Sequence, residues 1–235
     1  MARYLLVSNK PWGKIALNEL RKWVPEHEWQ LIQDQEKEGS PARCYSAAFF
    51  LHYGKLVPDY FLSQTPCFGF HLAPLPFGRG GTPLQNMILS GVASTPISMF
   101  KMEPGAAFDS GPLMVGMSGI EVSEDISLTG RAAEDIYRQA MYEATAKIAS
   151  YVKGYLQPKE QEGEVVSFTR LTTKHNEIPS NNVTLDTIFD YIRMTDAETY
   201  PKAWLKIGKI KIEFSRAALR LGRVDCDAKI TIENE

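Results

Sequence analysis

The sequence predicts an α/β fold, in which a mostly parallel sheet carries helices on both faces and a small C-terminal α+β segment follows. Two observations lead to this prediction. In the first half, short apolar runs typical of buried parallel strands alternate with segments of helical periodicity. After about residue 165, one helical segment precedes runs in which apolar and charged residues alternate. The 235 residues, 44% of them hydrophobic, suffice for one medium domain with a small addition.

The strands and helices of the first half are predicted in chain order from apolar runs, from apolar residues at helical spacing, and from Pro or Gly residues that mark loops. The predicted strands are residues 3–8, 29–32, 47–51, 67–71, 96–101 and 112–117. The predicted helices are residues 14–24, 58–64, 82–89 and a long segment after residue 129. Pro58 suits a first helical turn, because no N–H is needed there. Strands alternating with helices favour right-handed crossovers, which place helices on both sheet faces.

The second half is predicted to begin with a linker, because residues 157–164 are polar and contain a Pro and a Gly. We therefore expect a larger domain at residues 1–157 and a small α+β subdomain at 158–235. Thr184 is a predicted N-cap for a helix that ends near residue 194. The strands predicted after this helix are residues 203–207, 209–214 and 228–232.

Charge and composition exclude several classes of protein. The net charge of −2 argues against a protein that depends on bulk electrostatic attraction to nucleic acid or anionic lipid. No run of 18 apolar residues exists, and the N-terminus lacks a signal-peptide pattern, so we predict a cytoplasmic protein with no membrane partner. The three cysteines and four histidines lack ligand spacing, so neither a disulfide framework nor a metal site is predicted.

The densest unusual stretch covers residues 70–86. His71 closes a predicted buried strand, and ligands of open α/β sheets bind beyond the carboxyl ends of strands. His71 is therefore a candidate catalytic residue, the alternative being a core histidine bonded to backbone. Arg79 lies in the following Pro- and Gly-rich loop, where a guanidinium can grip phosphate bidentately, unless it is simply solvated. The glycines of this loop form neither a GxGxxG motif nor a Walker loop.

A second stretch, residues 102–112, joins two predicted strands and contains Asp109 beside a Gly-Pro pair. Taken alone, Asp109 is typical of a turn whose carboxylate bonds to nearby backbone.

Together, these stretches resemble the formyltransferases that use 10-formyltetrahydrofolate. The motifs that carry the resemblance are His71-Leu72-Ala73-Pro74-Leu75-Pro76, Arg79-Gly80, Pro83-Leu84-Gln85, Asp109-Ser110-Gly111, Tyr53-Gly54-Lys55-Leu56-Val57-Pro58, Tyr191-Ile192-Arg193 and Tyr200-Pro201-Lys202-Ala203-Trp204. They occur in the family's order at matching spacing over residues 3–218. The resemblance implies a Rossmann-like catalytic domain at residues 1–157.

The resemblance also implies catalytic roles for His71 as oxyanion stabiliser and for Asp109 as proton acceptor. The chain departs from the family at Gly69, where the family has an Asn that donates to the formyl oxygen. Such a donor is typically worth about 3 kcal/mol of transition-state stabilisation. Asn86, on the helix after the loop, is the candidate replacement, the alternative being an exposed helix-face residue.

The implied co-substrate is 10-formyltetrahydrofolate, with no metal. The residues predicted to contact folate are Leu56, Val57, Pro58, Gly105, Ala107 and Asp109. The residues predicted to bind the acceptor are Lys10, Trp12, Arg79, Gly80 and Gly81. For Trp12 the alternative is packing, for Lys10 solvation, and for the glycines a plain tight loop.

Residues 70–86, 192–198 and 213–217 together resemble a short subgroup of the family. This resemblance implies N-formylation of a nucleotide-linked amino sugar in surface polysaccharide (lipopolysaccharide) biosynthesis. Three alternatives stay open: formylation of methionyl-tRNA, hydrolysis of formylfolate, and folate binding without catalysis. Residues 165–235 hold 11 basic and 10 acidic side chains, which argues against tRNA and so against a nucleic-acid partner. The apolar hairpin around Trp204 is predicted to pack either on the first domain or on a partner chain, and the second case would give a homodimer. The sequence leaves open which sugar, nucleotide and amine position are used.

Overall fold

The computed structural model describes residues 1–33, 44–119 and 124–232. The main strands of the first half are β1 Arg3–Val7, β2 Glu28–Ile32, β3 Ala47–Phe50, β4 Cys67–His71, β7 Ser98–Met102, β8 Leu113–Gly116 and β10 Leu156–Lys159. Shorter strands are β5 Phe77–Gly80, β6 Ser94–Thr95, β9 Ile126–Ser127 and β11 Val166–Phe168. The helices are α1 Gly13–Trp23, α2 Asp59–Leu62, α3 Pro83–Leu89 and α4 Ala133–Val152. The C-terminal part contains a 3₁₀ turn at Thr173–Asn176, then α5 Leu185–Thr195, β12 Ala203–Ile207, β13 Ile210–Arg220 and β14 Arg223–Ile232.

The seven main strands form one sheet in the order β10-β8-β7-β4-β3-β1-β2. Strands β1 to β4 pair in parallel, whereas β7, β8 and β10 each join through an antiparallel pair. Five of these seven strands therefore point the same way, and the predicted α/β class with a mostly parallel sheet is confirmed. Strand β4 is central, and His71 is its last residue. This places His71 at the sheet edge where α/β proteins bind ligands.

The described residues fall into two compact units. The first contains those of Met1–Gly80, Thr95–Ile126 and Tyr137–Ser167. One cluster of its core lies on a single face of the parallel strands and includes Leu5, Val7, Ile32, Ala48, Phe50 and, from α2, Phe61. Alternate residues of a buried strand contact opposite faces, which explains why these strands read as continuous apolar runs.

The predicted linker at residues 157–164 is wrong at its start, because β10 covers Leu156–Lys159 and pairs antiparallel with β8. Strand β10 is an edge strand of its sheet. Polar side chains are common on edge strands, so the composition of β10 resembles that of a linker. The division into domains at residue 157 stays a prediction.

The second unit contains the described residues of Gly81–Ser94, Ser127–Ile136 and those from Phe168 onward. Thr184 caps α5, since its Oγ1 accepts a hydrogen bond of 3.1 Å from the Thr187 N–H, as predicted. Arg193, in one of the motifs of the resemblance, is buried and donates to the carbonyls of Leu128 and Arg131. Its role is to hold that loop within the unit. The last strands, β12 to β14, form an antiparallel sheet that continues beyond the predicted bounds.

Candidate functional site

The His71 ring is enclosed at the end of β4, with 7% of the residue exposed. Its Nε2 lies 2.7 Å from the carbonyl oxygen of Gly78, and its Nδ1 lies 3.4 Å from Oδ2 of Asp109. Both ring nitrogens thus face oxygen atoms, and a ring with two protons would donate to both. The structure therefore brings together the two residues predicted to be catalytic, which lie 38 positions apart in the sequence.

Asp109 occupies the turn between β7 and β8 in the left-handed region, with φ of 57°. Its Oδ2 also accepts a hydrogen bond of 3.0 Å from the Gly80 N–H, so the predicted binding residue Gly80 orients the carboxylate. Gly111 is required two residues later, since a β-carbon there would overlap the Lys101 carbonyl oxygen. The Asp-x-Gly motif thus has a local cause: Asp tolerates the left-handed conformation, and Gly permits the close approach.

Phe100 fills the position where a side chain at residue 69 would lie. Gly69 and Phe100 are partners across the antiparallel β4–β7 pair, and a β-carbon at Gly69 would overlap the Phe100 ring. Residues 69 and 71 project on the same face of β4, because side chains alternate along a strand. The Phe100 ring therefore occupies the space in which the resemblance predicts a side-chain amide.

The Arg79 guanidinium contacts a side-chain amide of the protein. Its Nε and Nη2 donate to Oε1 of Gln161 at 3.1 and 2.6 Å. Gln161 was missed by the sequence analysis, because it lies in a polar stretch with no motif. Gly81 belongs to the second unit, where a β-carbon would overlap the Arg170 side chain. The roles of Arg79, Gly80 and Gly81 in acceptor binding stay predictions.

Two of the segments predicted to contact folate are linked to each other. Asp59, directly after Pro58, accepts a hydrogen bond of 3.3 Å from the Gly105 N–H. Val57 is buried at 3% exposure, whereas Leu56 and Phe108 expose 70% and 64%. Ala107 stabilises the turn, since its carbonyl accepts from the Ser110 hydroxyl at 2.8 Å. Each of these two linked loops therefore carries one exposed apolar side chain.

The Asn86 side chain makes hydrogen bonds to backbone groups of the second unit, to which it belongs. Its Nδ2 donates to the carbonyls of Thr82 at 2.9 Å and Thr169 at 3.1 Å. Both amide protons have backbone acceptors there, so donation to a formyl oxygen would require one of these bonds to be exchanged. The catalytic role of Asn86 stays a prediction.

Trp12 is buried, and its Nε1–H donates to Nδ1 of His52 at 3.0 Å, while its ring stacks on Tyr137. Lys10 lies nearby, and burial lowers the pKa of its amine. Burial, followed by the charge of Lys10, lowers the pKa of His52 to about 3. Lys10 and Trp12 follow β1, and His52 follows β3, so all three lie at the same sheet edge as His71. The acceptor roles of Lys10 and Trp12 stay predictions, with Trp12 also serving the core.

The lowered pKa of His52 predicts that the stability of the protein decreases as the pH falls. Its ring stays neutral in the folded protein down to about pH 3, whereas in the unfolded chain it takes up a proton near pH 6.5. The unfolded state therefore binds more protons as pH falls, and stability decreases. Between pH 6.5 and 5 this one group should cost roughly 1.5 kcal/mol.

The test replaces His52 with asparagine, which tolerates the left-handed φ of 49° at this position. Urea unfolding at pH 6.5 and 5 should show a smaller loss of free energy in His52→Asn than in the wild type. Equal losses in the two proteins would contradict a neutral, desolvated His52.

Across residues 1–33, 44–119 and 124–232, no group of three or more His, Cys, Asp or Glu side chains is placed to bind a metal. Within the same residues, no helix has both the length and the apolar character needed to span a bilayer. Cys67 is buried, and desolvation raises the pKa of its thiol to about 12, so it is a poor nucleophile at neutral pH.

The comparison that decides the family is with a solved structure, the methionyl-tRNA formyltransferase from Clostridium thermocellum. It is 30% identical to this chain over 99% of this chain and 100% of that one, with a TM-score of 0.88. The chain belongs to the formyltransferase family. Residues 173–231 also match the family described as methionyl-tRNA formyltransferase, C-terminal domain.

This formyltransferase family member also matches less similar proteins. The methionyl-tRNA formyltransferase of Mycobacterium leprae is 26% identical over 94% of this chain and 62% of its own length. The chain spans 52–62% of the length of the first curated relatives that it matches. A 4-N formyltransferase from Francisella tularensis shares the fold, with 14% identity, a TM-score of 0.66 and coverage of 100% and 99% of the two chains.

Proposed function

We propose that this protein transfers the formyl group of 10-formyltetrahydrofolate to a primary amine. The observation that carries the proposal is the His71–Asp109 pair at the carboxyl end of the central strand, in a chain of this family. A neutral amine attacks the formyl carbon, the carbonyl oxygen gains negative charge, and the folate nitrogen leaves. The reaction needs a group that stabilises this oxygen and a group that accepts the amine proton.

His71 and Asp109 meet these two needs. The His71 ring, protonated or as a neutral donor, stabilises the developing oxyanion once one ring nitrogen exchanges its protein oxygen for the substrate oxygen. The Asp109 carboxylate accepts the amine proton directly or through water. The Gly80 N–H and the His71 ring both face Oδ2 of Asp109, so the carboxylate is oriented before the substrate arrives. Such preorganised groups act without the cost of reorienting water. The exposed side chains of Leu56 and Phe108, on the loops predicted to contact folate, support the proposal because they offer apolar surface to a folate ring.

For the amine acceptor, we propose a nucleotide-linked amino sugar. The near-neutral net charge supports a small acceptor over a large polyanion. The fold is compatible with a sugar acceptor, because a sugar N-formyltransferase from Shewanella sp shares it at 13% identity and a TM-score of 0.64.

Methionyl-tRNA is the second candidate, favoured by the names of the relatives and by one structural observation. The sheet of β12 to β14 holds seven Lys and Arg against three Asp and Glu within residues 203–232. Lys174, Lys206 and Lys211 line a shallow pocket around Trp204 in this unit. Lysines beside an aromatic ring are typical of surfaces that bind nucleotides or nucleic-acid backbones. The neutral total charge therefore does not exclude a nucleic-acid partner.

The experiment that decides between the acceptors is a formyl-transfer assay with purified protein and 10-formyltetrahydrofolate. A panel of nucleotide-linked amino sugars is compared with methionyl-tRNA and with water alone. We expect amine-dependent release of tetrahydrofolate with at least one sugar. Transfer to methionyl-tRNA alone would move the proposal to the second acceptor, and release in water alone would replace transfer by hydrolysis. No turnover with any acceptor would contradict the proposed function.

A further inference from the structure

Gln161 makes four hydrogen bonds that meet at the candidate site. Its Oε1 accepts from Nε and Nη2 of Arg79 at 3.1 and 2.6 Å. Its Nε2 donates to the carbonyl oxygens of Asp109 at 2.7 Å and Gly111 at 2.8 Å. One side-chain amide has two donor protons and two acceptor lone pairs, so the capacity of Gln161 is fully used.

The chemistry of the partners fixes the orientation of this amide. Arg79 offers only donors, and the two backbone carbonyls offer only acceptors. Turning the amide over would place oxygen against two oxygens and N–H groups against a guanidinium. A glutamate or a methionine at residue 161 therefore cannot reproduce the full set of bonds.

The bonds from Gln161 reach the carbonyls of Asp109 and Gly111, whereas the other backbone bonds of the turn are local ones within residues 103–110 and one from Gly105 to Asp59. Asp109 is in the left-handed conformation, which for a residue other than glycine costs about 1 kcal/mol or more. Residues 103–108 are exposed, and so is the Ser110 hydroxyl bond to Ala107. The two bonds from Gln161 flank Ser110 and so fix the direction in which the Asp109 side chain leaves the turn.

Gln161 also reaches the other side of the Asp109 carboxylate. Arg79, its second partner, directly precedes Gly80, whose N–H donates to Oδ2 of Asp109. One amide thus ties the backbone that bears the carboxylate to the strand that supplies a hydrogen bond to it. All of these residues lie within the first unit.

We propose that Gln161 is a positioning residue for the His71–Asp109 pair, acting through the Asp109 turn. The proposal rests on the proposed function, because the rate it affects is that of formyl transfer. It follows that Arg79 serves the same scaffold through Gln161.

The test compares Gln161→Met and Gln161→Glu with the matched control Gln157→Met. Gln157 lies on the same segment and makes one exposed bond of 3.2 Å, to the Met117 carbonyl, away from the turn. Gln161→Met should lower kcat about tenfold to a hundredfold with little change in the KM for the acceptor. Gln161→Glu keeps an acceptor for Arg79 but loses both donors, so its kcat should fall by a comparable factor. Gln157→Met should keep the wild-type kcat.

A double-mutant cycle separates positioning from general support of the fold. In an Asp109→Asn background, adding Gln161→Met should change kcat less than threefold, because the group that it positions is already disabled. Full additivity of the two losses would overturn the proposal. So would a wild-type kcat in both Gln161 variants.

A second measurement does not depend on activity. Hydrogen–deuterium exchange of the peptide that contains residues 105–111 should speed up in Gln161→Met and stay unchanged in Gln157→Met. Unchanged exchange would overturn the proposal even if kcat fell. If the wild type transfers no formyl group, the proposed function fails, and this exchange still decides whether Gln161 holds the turn.

Discussion

Replacing His71 with alanine is expected to lower kcat for formyl transfer by about a hundredfold or more. The ring is the polar side chain at the end of the central strand, and its Nδ1 lies 3.4 Å from Asp109. Folate and acceptor are held mainly by other residues, so KM for both should change little. Steady-state kinetics with the acceptor identified by the panel assay give both numbers.

Asp109→Asn is expected to lower kcat to a similar extent, because it removes the proton acceptor while keeping the size of the side chain. The double variant should lose less than the product of the two single effects, since groups that act as one unit are not additive. Wild-type turnover in both single variants would show that the site lies elsewhere.

Asn86→Ala is the comparison that separates the two explanations for the missing family amide. Its Nδ2 bonds to Thr82 and Thr169 lead us to expect a loss of stability and a nearly unchanged kcat. A loss of kcat as large as that of His71→Ala would instead identify Asn86 as the oxyanion donor.

The sequence predicts the main strands and helices well where periodicity or an apolar run is strong. Strand β4 and helix α5 lie within two residues of their predicted bounds. Strand β10 was missed because an edge strand with polar side chains carries no apolar signal. The ends of β13 and β14 were missed because a register shift between Ser215 and Ala218 interrupts the alternation of apolar and polar residues, and no residue there is fully buried.

The candidate pair His71 and Asp109 was predictable, but the contacts that orient it were not. His71 and Asp109 stand in recognisable motifs. Gln161 forms four hydrogen bonds to groups that lie 50 or more residues away, and its type and position reveal nothing until the chain folds. The contact between Gly69 and Phe100 depends on the register of β4 and β7, which no local pattern specifies. Motifs therefore identify reacting groups, whereas tertiary pairing determines their geometry.

The pair of Gly69 and Phe100 gives the second prediction of large effect. Gly69→Asn alone should be strongly destabilised, because its β-carbon would overlap the Phe100 ring in a buried antiparallel pair. Phe100→Ala alone should also lose stability, by about 3–5 kcal/mol, since it leaves a cavity. The double variant should be more stable than the sum of the two losses predicts, because each change relieves the other. Urea unfolding of the four proteins measures this coupling, and simple additivity would contradict the contact.

The same double variant tests whether a side-chain amide at residue 69 can take part in catalysis when Phe100 no longer fills its space. Residue 69 projects on the face of β4 that carries His71, so an asparagine there can donate to the formyl oxygen once the ring is removed. Restoring one oxyanion donor is worth about a hundredfold in rate or more. We therefore expect kcat of the double variant to exceed that of Phe100→Ala by about this factor, with Phe100→Ala as the reference because both share the cavity. Equal kcat values in the two proteins would contradict this expectation, since the oxyanion would then be fully stabilised by His71 and other groups without a side-chain amide at residue 69.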